Sequence, residues 1–363
     1  MNKVLGIDPG SLTWDFFAIK GKQVILDISI STNEVIEEPS KAISIIKSIK
    51  NLDLIVAPSG FGLPLKNVKD ITEKDIFLTL LKFDKKDREQ LVGLGEVLRL
   101  IKTEGLPGII VPGVKHLPTI PRYRKINKID MGTADKLCTV VTGIRDQIDR
   151  LKMQPANTNF IMVELGFGFS AVLAIENGQV IDGIGGSNIM GFRACGGLDG
   201  ELAYLIKNIK KNIIYSGGLS SISGHKDLDL NKFTELVKND HQTRLAFQAY
   251  ISDLIKAIYA ISSSFSNKDH VTEILLAGRG ADNHTINDEI LNSLEGFFTV
   301  KLMKSYGSMS KQAAQGAAFI ANGLLGGEFA PIVNNLKIKD AKGSVLDDIY
   351  ISFDKNKLLS DLN

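Results

Sequence analysis

Cysteine is almost missing from this chain: Cys138 and Cys195 are its only two among 363 residues. Two are too few for a disulfide framework or a structural zinc site. No uncharged apolar run approaches the roughly 20 residues that a membrane-spanning helix needs. Met1-Asn2-Lys3 leads through only a few apolar residues to Asp8, Pro9 and Gly10, too short for a signal-peptide core. Low-complexity tracts and long blocks of one charge are also missing. With 43 Lys+Arg against 41 Asp+Glu the formal net charge is +2, so the electrostatic footprint of a dedicated nucleic-acid binder is lacking. These absences lead us to expect a cytoplasmic protein with reduced thiols that binds neither nucleic acid nor membrane.

What is present points to an ordinary globular chain, 44% hydrophobic and 23% charged. At roughly 150 residues per domain the length suggests two domains. Glycine is in excess: 34 residues, about 9% against a norm of ~7%. The excess is clustered, because ten of the 34 lie between Glu164 and Gly200.

That cluster belongs to a repeat. Val4 to Ile7 and Trp14 to Ile19 read as strands around Asp8-Pro9-Gly10-Ser11, with a Lys20-Gly21-Lys22 turn before Val24 to Ile28. Phe160 to Val163, Ala171 to Ile175, an Asn177-Gly178 turn and Val180-Ile181 repeat the layout. A gapless offset of 156 places Asp8 on Glu164, Gly10 on Gly166 and Gln23-Val24-Ile25 on Gln179-Val180-Ile181. An acid followed two residues later by glycine, in register with a hairpin, indicates an internal duplication.

After the first hairpin, Pro39 to Lys50, Asp87 to Lys102 and Ala134 to Arg150 read as helices, and Leu52 to Ala57 and Gly108 to Val111 as strands. After the second, Gly200 to Lys210, Arg244 to Phe265 and Gln312 to Leu325 read as helices, and Glu273 to Ala277 and Phe298 to Met303 as strands. Leu346 to Phe353 reads as a late strand. A meander followed by alternating strands and helices, occurring twice, predicts α/β domains with mixed sheets flanked by helices. The expected boundaries are 1–155, 156–325 and a C-terminal extension, 326–363.

Three glycine motifs carry the chemistry. A strand ending in an acid and then a glycine turn exposes N–H groups to phosphate oxygens. In the first copy Gly10 permits close approach, Ser11 adds a hydroxyl, and Asp8 suits Mg²⁺. The second copy runs from Glu164 through Gly166 and Gly168 to Ser170, with Glu164 as its metal candidate. The two loops are expected to hold the β- and γ-phosphates of ATP from both sides of a cleft. In the third, Ile274 to Ala277 ends in Gly278-Arg279-Gly280, where exposed backbone suits a flat adenosine. Asp130-Met131-Gly132-Thr133-Ala134-Asp135 caps the helix ending the first half, and Gly316 to Gly323 puts small residues on one helix face.

This order of phosphate loop, connecting helix, phosphate loop, adenosine loop and small-residue helix resembles the superfamily of acetate and sugar kinases, heat-shock chaperones and actin. The resemblance runs from about residue 3 to 325 and implies two duplicated actin-like ATPase (ribonuclease H-like) domains. Within it, Val4 to Ile19 and Glu164 to Ser170 look most like the acetate and butyrate kinases and an archaeal family described as predicted butyrate kinases. Met190-Gly191-Phe192-Arg193 stands where acetate kinases carry a catalytic arginine, so the resemblance implies that role for Arg193. Asp8 replaces the asparagine of acetate kinases. No arginine near Ser59-Gly60-Phe61-Gly62 matches their substrate-binding one, leaving Arg122 or Arg124 as substitutes.

The implied activity is transfer of a phosphoryl group from ATP with Mg²⁺ to a small acceptor, with a homodimer left open. A carboxylate acceptor is ionised at pH 7 and needs only cationic partners. An alcohol acceptor needs a carboxylate base, for which Asp130, Asp135 and Asp199 are candidates. The family likeness favours a short-chain, butyrate-like carboxylate. A slowly hydrolysing nucleotide switch is the rival from another class.

Overall fold

The computed structural model describes residues 1–82, 93–207, 209–225, 228–267, 271, 273–351 and 358. They fold as two compact units. The first comprises Met1–Thr158, Asn177–Val180 and Lys304–Asn363; the second comprises Asn159–Glu176 and Ile181–Met303.

The first unit is built on strands β1 (Lys3–Pro9), β2 (Thr13–Lys20), β3 (Gln23–Ser31), β4 (Leu54–Val56), β5 (Gly62–Asn67) and β6 (Gly108–Pro112), in the order β3-β2-β1-β4-β6-β5. The first three form an antiparallel meander, and β4 runs parallel to β1 on its other side. The other sheet contains β7 (Phe160–Leu165), β8 (Ser170–Glu176), β9 (Gln179–Ile184), β10 (Ile274–Ala277) and β11 (Val300–Leu302), in the order β11-β10-β7-β8-β9. Here β7, β8 and β9 repeat the meander, with β10 parallel to β7 and β11 parallel to β10. The duplication seen at an offset of 156 is therefore a duplicated sheet topology. Asn177 and Gly178 both have positive φ, 53° and 67°, as a two-residue hairpin turn of this hand requires.

Among the helices, Ala134–Leu151 (α1) and Gln312–Leu324 (α2) fix the first unit. Helix α2 carries alanine and glycine because it lies backbone to backbone on its neighbours. A Cβ at Gly316 would strike the Cys138 carbonyl of α1, and one at Gly6 would strike the Ala314 carbonyl and the Ala318 amide. This packing puts α2 in the first unit, whereas the sequence reading groups it with 156–325. The segment after 326 joins the same unit rather than standing apart.

Other boundaries shift for local reasons. The helix expected over 87–102 is seen as Leu94–Thr103, and its first residues lie outside the described ones. The helix after Asp199 stops at Ile206, where Lys207 turns to φ 61°. The late strand over 346–353 is not formed: Val345 to Asp348 make a turn, and residues 352 and 353 lie outside the described residues. Strand β5 escapes sequence reading because Pro64 interrupts it; as the last strand of its sheet it tolerates a residue without an N–H.

Candidate functional site: two glycine hairpins and a half-buried lysine

Strand β1 ends at Pro9 and β2 starts at Thr13, and pairing of Gly10 with Thr13 leaves a two-residue turn, Ser11-Leu12. The Gly10 amide donates to the Thr13 carbonyl at 2.9 Å. In the second unit the Gly166 amide donates to the Phe169 carbonyl at 3.0 Å. The two glycine amides thus close the hairpins instead of facing outward. The residues between them, Ser11-Leu12 and Phe167-Gly168, have amides with no hydrogen bond among the described residues. Loop amides left without a partner are donors that can bind an anion.

Asp8 is 4% exposed and stands at the mouth of the first hairpin. Its Oδ2 lies 2.5 Å from Lys311 Nζ, at the start of α2. Lys311 Nζ is also 3.7 Å from Asp15 Oδ2 on β2, and the Lys311 amide donates to that oxygen at 3.0 Å. Asp15 is wholly buried, and its Oδ1 accepts the Ser29 hydroxyl at 2.6 Å. On β3, Asp27 accepts the amides of Ser308 (2.6 Å), Met309 (2.9 Å) and Ser310 (2.8 Å), holding the turn that presents Lys311. Partial burial alone would raise the Asp27 carboxyl, but these hydrogen bonds bring it below its usual value.

Burial raises the Asp8 carboxyl from 3.8 to about 6; Lys311 opposes the rise, and the charges of Asp135 and Asp15 add to it. Burial would raise Asp135 too, but the Lys136 ammonium at 2.6 Å and the Thr133 hydroxyl hold it low. Asp130 Oδ1 accepts the Gly132 amide at 3.1 Å. In the second unit Asp199 caps its helix, accepting the amides of Glu201 (2.9 Å) and Leu202 (3.2 Å).

The second hairpin is joined to the Arg193 segment, since the Gly168 carbonyl accepts the Ala194 amide at 3.1 Å. Arg193 is exposed, with its guanidinium over the Phe167 ring at 4.8 Å. Glu164, 6% exposed, pairs with Ala277 at the end of β10. Gly278 has φ 81°, and a Cβ there would lie 2.7 Å from the Leu165 carbonyl and 3.2 Å from Glu164 Cγ. Gly280 is equally close to Leu165. The second and third glycine motifs are therefore neighbours. Asn283 steadies the turn that follows, capping its helix at the Ile286 amide (3.1 Å) and donating to Asn231 (2.9 Å).

Ser170, Arg122 and Arg124 each have partners within the chain. Ser170 is fully buried at the start of β8, with its hydroxyl 3.3 Å from the Tyr250 hydroxyl, so it offers nothing to a ligand. Arg122 is exposed and its Nε lies 2.6 Å from Asp348 Oδ1, while Arg124 lies over the Tyr123 ring. Sequence reading misses Lys311, Asp15 and Asp27. The one visible signal is Asp15, an acid inside the apolar run Trp14-Asp15-Phe16-Phe17.

Among the described residues, no three His, Cys, Asp or Glu side chains group as a metal cage. The donor set fits Mg²⁺ carried by phosphates, which retains waters and takes one or two protein carboxylates. Asp8 fits that role, with Lys311 as the cation it now holds.

A family model described as "Protein of unknown function (DUF1464)" matches residues 6–351. The chain belongs to this family. The comparison with curated proteins gave no match. Among solved structures, a propionate kinase from Francisella tularensis subsp. tularensis SCHU S4 is similar with a TM-score of 0.62 and 17% identity, over 87% of this chain and 99% of that one. The acetate kinase from Entamoeba histolytica gives 0.59 and 13%, over 81% and 86%. The acetate kinase from Porphyromonas gingivalis gives 0.57 and 14%, over 88% and 98%. The fold is the one that these kinases share. No helix of the described residues is long and apolar enough to cross a membrane.

Proposed function

We propose that this protein is an ATP- and Mg²⁺-dependent phosphotransferase whose acceptor is a short-chain carboxylate. The observation that carries the reading is the matched closure of the two hairpins, which leaves the amides of Ser11, Leu12, Phe167 and Gly168 without intramolecular bonds among the described residues. Phosphoryl transfer asks for positioning and charge neutralisation more than covalent chemistry by the protein. The loop amides receive phosphate oxygens, and the backbone at Gly278 and Gly280 receives the adenosine. Arg193, held over Phe167, meets charge developing on the transferred group with its planar fork. Asp8 is the protein carboxylate that would hold Mg²⁺, whose chemistry would be to neutralise phosphate charge.

The acceptor is inferred from what the acids are doing. Asp130 holds the Gly132 amide, Asp135 holds Lys136 and Asp199 caps a helix. A carboxylate acceptor, already ionised, needs none of them as a base. The likeness to acetate and propionate kinases supports the same choice. One observation favours an alcohol instead: the Asp8 carboxyl, raised to about 6, is a competent base near neutral pH.

A coupled assay for ADP release decides between them, run without acceptor and with acetate, propionate, butyrate and a panel of sugars. Stimulation by the acids supports the carboxylate kinase, and stimulation by a sugar favours the alcohol reading. Slow turnover indifferent to every acceptor indicates a nucleotide switch. A nucleotide bound away from both hairpins would overturn the proposal.

A further inference from the structure

Lys311 and Asp15 are charged side chains at the first hairpin that no motif accounts for. The Lys311 ammonium has two carboxylate neighbours, Asp8 at 2.5 Å and Asp15 at 3.7 Å. The surrounding backbone is pinned: the Lys311 amide is held by Asp15, and Asp27 holds the three preceding amides. Space for the ammonium exists because residue 10 is glycine; a Cβ there would fall on Nζ. Movement is left to the flexible side chain, and both of its acceptors are within a short swing. One ammonium between two buried carboxylates also leaves a net negative charge.

We infer that Lys311 is an exchangeable counter-ion: it pairs with Asp8 and yields that carboxylate to an incoming divalent cation by swinging to Asp15. The inference rests on the phosphotransferase reading only in taking that cation to arrive with nucleotide. The swing costs little because Lys311 never lacks a counter-charge, while a divalent ion at Asp8 repels it. The ion pair disfavours free metal, since an ion arriving alone must displace a resident cation. A nucleotide-borne ion brings phosphates that bind the loop amides as well.

The test is Mn²⁺ binding to the full chain, followed by electron paramagnetic resonance, for wild type, K311M, K311Q, D8N and K311M/D8N. Removing the resident cation should tighten binding of Mn²⁺ alone at least tenfold in K311M and K311Q, and D8N should abolish that gain. Unchanged Mn²⁺ affinity in both single variants, or a gain that survives D8N, overturns the inference. Should neither variant fold, the Lys311 Cε resonance of wild type decides: it should shift on saturation with Mg²⁺, and constancy overturns the inference. A parallel titration with Mn·ATP separates the two proposals. Wild type that binds no Mn·ATP while K311M gains Mn²⁺ ends the phosphotransferase reading and keeps the exchange. Tight Mn·ATP binding with no gain in the variants ends the exchange alone.

Discussion

The amides of Gly10 and Gly166, 156 positions apart, close their hairpins with the same hydrogen bond to the residue three further on, at 2.9 and 3.0 Å. Each glycine is required by that closure. A Cβ would lie 2.7 Å from the Thr13 carbonyl in one hairpin and 2.6 Å from the Phe169 carbonyl in the other.

Gly10→Ala and Gly166→Ala should therefore each open their turn and disorder the amides beside it. Calorimetric titration should show nucleotide affinity reduced tenfold or more. The accompanying loss of stability should be about 1–3 kcal/mol, as for other overpacked sites, and a thermal melt will measure it.

Arg193→Ala should lower kcat by about 10²–10³, the scale expected when one transition-state donor is removed, with little change in nucleotide affinity. Arg193→Lys should restore little, because an ammonium lacks the planar fork and does not stack on Phe167 in the same way. A steady-state kcat within a few-fold of wild type would remove Arg193 from the mechanism.

The raised Asp8 carboxyl makes function and stability move in opposite directions with pH. As pH falls through about 6 the folded protein takes up a proton at Asp8, while the unfolded chain waits until its ordinary value of 3.8. Between these values the folded state binds more protons, so this group's contribution favours folding increasingly on acidification. Cation and nucleotide binding at Asp8 should weaken over the same interval, because the proton takes the same carboxylate. Melting temperatures of wild type and Asp8→Asn, compared between about pH 4.5 and 7.5, should differ most at the upper end, with wild type gaining on the variant as pH falls.

Lys115 is 4% exposed and donates to the carbonyls of Val345 (2.7 Å), Asp347 (2.6 Å) and Lys128. Lys115→Met leaves three acceptors without their donor, and each buried acceptor left without water or another donor costs about 1–3 kcal/mol. Limited proteolysis should then cut near residues 343–348 under conditions that spare the wild type.

Much of this fold is legible in the amino-acid sequence. The hairpins are, because alternating apolar residues around Asp8-Gly10 and Glu164-Gly166 repeat at one offset, and the helices Ala134–Leu151 and Gln312–Leu324 stand close to where periodicity puts them. Ser170 misleads because a motif shows spacing but not burial: the loop spans only two residues, and strand β8 has already begun. Lys311 stays hidden for a different reason. It meets Asp15 across 296 positions, and no local pattern reports a contact made by packing one end of the chain on the other. The same distance hides the membership of α2, whose small residues declare a close neighbour without saying which.

The embrace of β1 by α2 also bears on the order in which the protein is completed during synthesis. Residues 159–303 lie almost wholly in the second unit, and they leave the ribosome before α2 exists. Until Gln312–Leu324 emerges, the backbone at Gly6 has no helix to cover it. The half begun first is thus finished last, and until then β1 has only its neighbours in the sheet.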